Sequence, residues 1–465
     1  MGKGGRDAGA VGGEAEKTLP KFTLEEIQKH RTPQDAWMVH HNKVYDVSNY
    51  MDHPGGLVIF SHAGDDMTDV FAAFHPPSAF NFMDKFLIGV VDSKGSSPQL
   101  QKDASQASFE KAYRNLRVQL KKAGMFKASS LFYTYKVLST LALCLVSWGL
   151  VLGSDHFGVH LVGALFLALF WQQCGWLAHD FLHHQVFQNR AHGDLAGIMI
   201  GNVWQGFSVA WWKNKHNTHH SVPNLYESQP DAADGDPDID TMPLLAWSLR
   251  MAKNADNALS RWFVSHQAFC YFPILGLARL SWLEGSFSFV FSNPLAWKTK
   301  NLDVAKQLVT NPLLEQAGLL VHYAWVFALC ACTGSLVRAL AFFFVATCTS
   351  GLLLAIVFGL GHNGMALYEA NARPDFWKLQ VTTTRNITGS PFVHWFCGGL
   401  QFQVEHHLFP SLPRHNLPRA HEIVTAFCKE QGVKYHEADL LTGTKEILSC
   451  LSEVTTEFLD EFPAM

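Results

Sequence analysis

At 465 residues the chain is too long for one ordinary soluble core, and only 16% of it is charged while 48% is hydrophobic and 13% aromatic. Set against roughly 25% charged residues in an average soluble protein, that is a membrane-protein balance. A formal net charge of -4 excludes a strongly basic nucleic-acid binder, and nine cysteines without a C-x-x-C pair exclude a zinc finger or a disulfide scaffold. The unusual count is 24 histidines, many of them clustered.

Residues 1–21 are Gly/Ala-rich and lack the continuous apolar run of a signal peptide, so a disordered tail and a cytosolic N-terminus are expected. Gly2 invites a myristoylation reading, but Arg6 stands where the acceptor pattern prefers Ser or Thr. Residues 22–90 read as a compact alpha+beta module, with a strand-like WMVHHNKVYDV and a turn at Asp52-His53-Pro54-Gly55-Gly56. Residues 91–130 form a polar linker and a basic amphipathic helix with Phe109, Tyr113, Leu116 and Leu120 at helical spacing. That helix can lie on the membrane surface or dock on the next domain.

From 131 to about 435 the chain reads as an all-alpha membrane domain, followed by a cytosolic tail over 436–465. Four segments, about 133–153, 158–178, 314–335 and 337–360, approach or exceed the roughly 20 residues that cross the hydrocarbon layer. Short interruptions pair them into two helical hairpins, so 179–313 and everything after 361 share the N-terminal, cytosolic side. The patchily apolar stretches 195–212 and 262–292 read as interfacial or re-entrant pieces.

Within the first module, His53 and His75 are 22 residues apart on separate loops, with Val58, Ile59, Phe60, Val70, Phe71, Phe74 and Phe86 as apolar walls. Two such imidazoles can clamp one heme iron from both faces. This arrangement leaves no axial site for oxygen and suits a one-electron carrier. NKVYDVSNYMDHPGG and GDDMTDVFAAFH resemble the cytochrome b5 signature. The resemblance implies heme b, with His53 and His75 as axial ligands.

Three further clusters fall on the expected cytosolic side: His179, His183 and His184; His216, His219 and His220; and Gln403, His406 and His407. Eight imidazoles exceed the four that zinc takes and point to two metals, with iron or zinc suited to nitrogen ligands. His362, just past the fourth span, is either a ninth ligand or a helix-end histidine bonded to backbone carbonyls. Gln403 stands where a further histidine would complete an H-x-x-H-H pattern, and its amide can hydrogen-bond or bind metal weakly. Asp180 and Glu405 are expected to orient imidazoles. The acidic DAADGDPDIDTMP reads as a solvated loop, and Trp211 and Trp212 as interface anchors.

Together the three boxes and the fused heme module resemble the membrane fatty acid desaturases, and Gln at the head of the third box is similar to their front-end members. That resemblance implies two non-heme iron ions in a cytosolic diiron cap, held by His179, His183, His184, His216, His219, His220, His406 and His407. It also implies a cis double bond placed between an existing one and the carboxyl end of a polyunsaturated acyl chain such as linoleoyl or alpha-linolenoyl, using O2 and two electrons. QCGWLAHDFLHHQVF and FCGGLQFQVEHHLFPSLPRHNL are similar to algal and oomycete delta-6 enzymes, with delta-5, delta-8, delta-4 and sphingolipid long-chain-base desaturases as alternatives. The implied partners are an acyl-CoA or acyl-phospholipid, membrane lipid and a separate NADH-cytochrome b5 reductase, since no dinucleotide fingerprint is present. The implied address is the endoplasmic reticulum. From other classes, a membrane-anchored heme electron carrier leaves three clusters unused, and a zinc or proton transporter would need its histidines deep in the spans.

Overall fold

The computed structural model describes residues 19–76, 78–97, 102–227, 234–291, 309–369 and 374–463. Most of the expected N-terminal tail, with Gly2 and Arg6, lies outside the described residues.

The N-terminal module is built on a five-stranded sheet in which Lys21–Phe22, Leu87–Val91, Lys43–Asp46, Asp35–His40 and Arg31–Thr32 follow one another in space. Asp35–His40 and Lys43–Asp46 pair antiparallel through His41-Asn42, whose φ values of 48° and 62° make the two-residue turn that matches strand twist. Against the sheet pack Phe60 and Val70 from the two helical segments Gly56–His62 and Thr68–Phe74, with Met67 just ahead of the second, while His53 precedes the first and His75 follows the second.

Asp103 caps the helix Ala104–Lys122 by accepting from the Gln106 amide. The helix buries Tyr113, Leu116 and Leu120 among residues of the membrane domain, and the Tyr113 hydroxyl donates to the Leu408 carbonyl at 3.0 Å. Arg114 on this helix pairs with Asp69 at 2.7 Å, and Lys102 just ahead of it pairs with Asp66 at 2.8 Å, which ties down the N-terminal module. The helix is a docked bridge between the two domains.

Among the described residues, four helices are long and apolar enough to span a bilayer: Ser130–Leu152, Phe157–Leu182, Pro312–Ala331 and Leu336–His362. The chain is a multi-pass membrane protein. Two of these helices outrun the hydropathy pattern. Phe157–Leu182 carries His179 in its last turn, and Leu336–His362 ends on His362, because packing among buried polar partners continues the helix where hydropathy stops. The stretch expected to be re-entrant is the pair Gln267–Gly276 and Ala278–Phe291, bent by 56°. The other irregular stretch runs from Arg190–Gly197 into a π-helical turn, Ile198–Gln205. Gly206 ends it at φ 94°, where a Cβ would lie 2.5 Å from the His322 imidazole, so glycine is required by both backbone and space.

Candidate metal and heme centres

Spacing along each helix decides which imidazoles meet. Residues four apart share a helix face, while neighbours diverge by about 100°. His179 and His183, His216 and His220, and Gln403 and His407 are each four apart, and each pair converges. The adjacent pairs His219/His220 and His406/His407 instead send one ring to each of two groups.

The first group is His179, His183, His216, His220 and His406. His179 Nε2 lies 2.9 Å from His406 Nε2, His183 Nε2 lies 2.9 Å from His216 Nε2, and His220 Nε2 lies 3.0 Å from both His216 and His406. The second group is His219, His362 and His407, with His219 and His362 Nε2 3.2 Å apart. Gln403 joins it, its amide nitrogen 2.7 Å from His362 Nε2 and 3.4 Å from His407 Nε2, while its Oε1 is buried without a partner. A half-turn of the amide puts that oxygen among the imidazoles. The groups adjoin, with the His220 and His407 rings stacked at 4.0 Å.

Lone pairs facing one another at 3 Å repel unless a cation lies between them. Two ligands at right angles on a metal about 2.1 Å away are separated by about 3.0 Å, so the spacing fits metal ligation. Burial holds His216, His220 and His407 well below the ordinary imidazole range and His406 at about 3, keeping them neutral.

Partners on Nδ1 fix which nitrogen faces inward. His362 Nδ1 donates to the Thr383 carbonyl at 3.1 Å, and His407 Nδ1 donates to Gln380 Oε1 at 2.8 Å. His219 Nδ1 donates to Asp236 at 2.9 Å, and that carboxylate is buried and held by the Asn224 and Asp238 amides. The acidic segment expected to be solvated therefore supplies a structural carboxylate to the second group. Trp212, expected at a membrane interface, is buried and stacks on His216 at 4.3 Å, forming a wall of the first group. Lys213, beside it, pairs with Asp194.

The carboxylates expected to orient imidazoles have stronger partners as well. Glu405 accepts from Asn386 at 2.8 Å and Tyr435 at 2.5 Å, which pins the third-box helix. Asn386 is buried, so the Asn386-Ile387-Thr388 acceptor pattern for glycosylation that it opens is sterically closed. Asp180 Oδ1 reaches the Nδ1 of its neighbour His179 at 3.5 Å, and its Oδ2 pairs with Arg414 at 2.7 Å, both side chains being buried. Replacing Arg414 by Met strands that carboxylate, and a loss of about 3–5 kcal/mol is expected. Thermal unfolding in detergent, with Asp180→Asn/Arg414→Met recovering part of the loss, checks it.

His184 stands outside both groups. The chain turns there at φ 55°, and its Nδ1 is buried without a partner.

In the N-terminal module, the His53 and His75 rings face each other with centroids 5.9 Å apart. With metal–nitrogen bonds of about 2.0–2.1 Å, one iron between the rings needs about this separation. His53 Nδ1 donates to the Gly56 carbonyl at 3.2 Å and His75 Nδ1 to the Phe71 carbonyl at 3.0 Å, leaving both Nε2 atoms free. Burial lowers His53 to about 4 and His75 to about 3, so both stay neutral. A Cβ at Gly55 would meet the His53 ring at 2.9 Å, whereas one at Gly56 would meet Asn214 of the second-box helix at 2.7 Å. The two glycines thus serve different approaches.

The fatty acid desaturase family model matches residues 156–439, and the cytochrome b5-like heme/steroid binding domain matches residues 23–92. The chain belongs to the membrane fatty acid desaturases with a fused cytochrome b5 domain. An acyl-lipid (9-3)-desaturase of Physcomitrium patens is 39% identical, over 93% of this chain and 78% of the relative. A delta(6)-fatty-acid desaturase of Caenorhabditis elegans is 34% identical over 84% of this chain and 89% of the relative. A delta(8)-fatty-acid desaturase of Helianthus annuus is 33% identical over 89% and 87%. This desaturase is therefore a front-end, O2-dependent acyl desaturase with a fused heme domain, and its histidine groups are consistent with a diiron site.

Proposed function

We propose that the desaturase inserts a cis double bond between an existing double bond and the carboxyl end of a polyunsaturated acyl chain. The observation that carries the reading is the convergence of two buried imidazole groups, to which the spanning helices Phe157–Leu182 and Leu336–His362 bring His179 and His362 in their last turns. His179, His183, His216, His220 and His406 would hold one iron, and His219, His362, His407 and Gln403 the other. His53 and His75 would hold heme b. Two irons supply the dioxygen chemistry needed to break unactivated methylene C–H bonds, beyond the reach of side-chain acids and bases. In balance, –CH2–CH2– with O2, two electrons and two protons gives –CH=CH– and two waters. The protein's share is to hold nine nitrogen and oxygen donors oriented and shielded from water, with His216, His220, His406 and His407 kept neutral by burial. Electrons come from NADH through a separate cytochrome b5 reductase, and the heme module and histidine groups face the cytosol at the endoplasmic reticulum.

The position of the new bond is where the named relatives divide, since delta-6 and delta-8 enzymes resemble this chain about equally. Their division supports a front-end reading that spans delta-6 and delta-8, with delta-5 as an alternative beside them. The test is mass-spectrometric double-bond location in lipids of cells expressing the protein. The cells are fed linoleic, alpha-linolenic, eicosadienoic and dihomo-gamma-linolenic acids beside a His407→Ala control. A new bond on the carboxyl side of an existing one, absent from the control, is the expected result. Retained oxygen in the product, or no new bond from folded, heme-loaded protein with a competent reductase, would overturn it.

A further inference from the structure

The heme module is seated on the helix that carries the second histidine cluster, Val209–Ser221. Ser61 Oγ lies 2.8 Å from Ser221 Oγ, and His62 Nδ1 lies 3.2 Å from the same hydroxyl, all buried. The Leu57 amide donates to Asn214 Oδ1 at 3.3 Å, and the Asn217 amide donates to the Gly55 carbonyl at 3.4 Å. Ser221 directly follows His220. At the other edge of this contact, Phe74, bonded to His75, sets its ring edge-on to the His220 ring at 6.1 Å. Arg190 fixes that segment from the membrane domain by donating to the Phe74 carbonyl at 2.5 Å.

His75 is a heme-ligand position and His220 a member of the first imidazole group, so one aromatic side chain stands between two redox sites. A short, packed and dry contact is what fast electron exchange between bound cofactors requires of a protein. Resting on the function proposed above, we infer that Phe74 is the relay contact through which electrons leave the heme module for the first imidazole group in this seated position. Each transfer moves one electron: ferrous heme becomes ferric, and one ferric non-heme iron becomes ferrous. The heme is re-reduced by a flavoprotein reductase or, in vitro, by dithionite. Phe74 acts as a positioning residue, since it ligates nothing itself.

The test uses the full-length protein loaded with heme and ferric non-heme iron. The heme is reduced anaerobically with one equivalent of dithionite, without acyl substrate, and its reoxidation is followed at the α-band. Phe74→Leu is expected to slow this internal step several-fold more than any change in its heme midpoint potential accounts for, with heme and iron content retained, and Phe74→Tyr restores the rate. Reoxidation of Phe74→Leu at the wild-type rate overturns the inference. Should Phe74→Leu lose heme, Arg190→Ala decides, a slower step supporting the relay and an unchanged one overturning it. Absence of internal heme oxidation in the iron-loaded wild type would instead overturn the proposed function.

Discussion

A His406→Ala protein is expected to fold and bind heme, yet lose iron and desaturation together. His406 Nε2 touches both His179 and His220, at 2.9 and 3.0 Å, so it joins the first-box and second-box arms of one group. Without it, the remaining four donors come from two helices and leave the third-box side open. Partners one bond further from a metal typically cost 10–100-fold when removed, so a loss of more than about 100-fold is expected here. Elemental analysis of iron per heme, with product analysis on the same preparation, measures both. Full iron content in His406→Ala would sink the ligand set.

Asp236→Asn should weaken the second group alone, by about 10–100-fold in metal affinity, with heme and first-group iron retained. The reason is electrostatic. Burial alone would depress His219, but the Asp236 carboxylate outweighs it and raises the group to about 9. In metal-free protein His219 therefore carries its proton at neutral pH and stabilises the fold below the unfolded value of about 6.5. That stabilisation is lost as pH rises through about 9. Metal uptake must displace the same proton, so affinity at the second group climbs with pH up to about 9. The asparagine variant flattens that climb, and iron or cobalt titrations across pH read it. A climb as steep in Asp236→Asn as in wild type would remove Asp236 from its role.

The spans and the three histidine clusters were legible because apolar length marks a bilayer crossing and the first cluster follows directly on one. The division of the imidazoles between two groups appears only in the structure, where four-residue spacing sets a shared helix face. His53 and His75 were legible for a similar reason, since a glycine-rich turn and a helix end flank one apolar segment. What escaped was long-range. Asp236 reads as one acid in a polar loop until the fold carries it to His219, although its nearness to the second box was the available signal. Trp212 has the composition of an interface anchor, and only the stack on His216 distinguishes it. His184 shares its box with two converging imidazoles, but the left-handed turn at φ 55° directs it elsewhere, and box membership cannot show that. The Arg414–Asp180 pair and the Phe74–His220 contact join segments far apart in the chain, beyond any periodicity.

The division of His219/His220 and His406/His407 between two groups makes the phase of each helix a constraint in its own right. A single residue inserted within Val209–Ser221 ahead of His216 would rotate every later ring by about 100°. It would also shift them along the axis by about 1.5 Å. His219 would then leave the pocket it shares with His362, and His220 would turn away from His183 and His406. No change of side chain compensates for such a turn, because both groups are served by the same rigid stretch. Length variation in this architecture therefore belongs to the segments between the boxes. Within the boxes the phase fixes residue count, while Gln403 shows that the position heading the third one holds a side chain other than histidine.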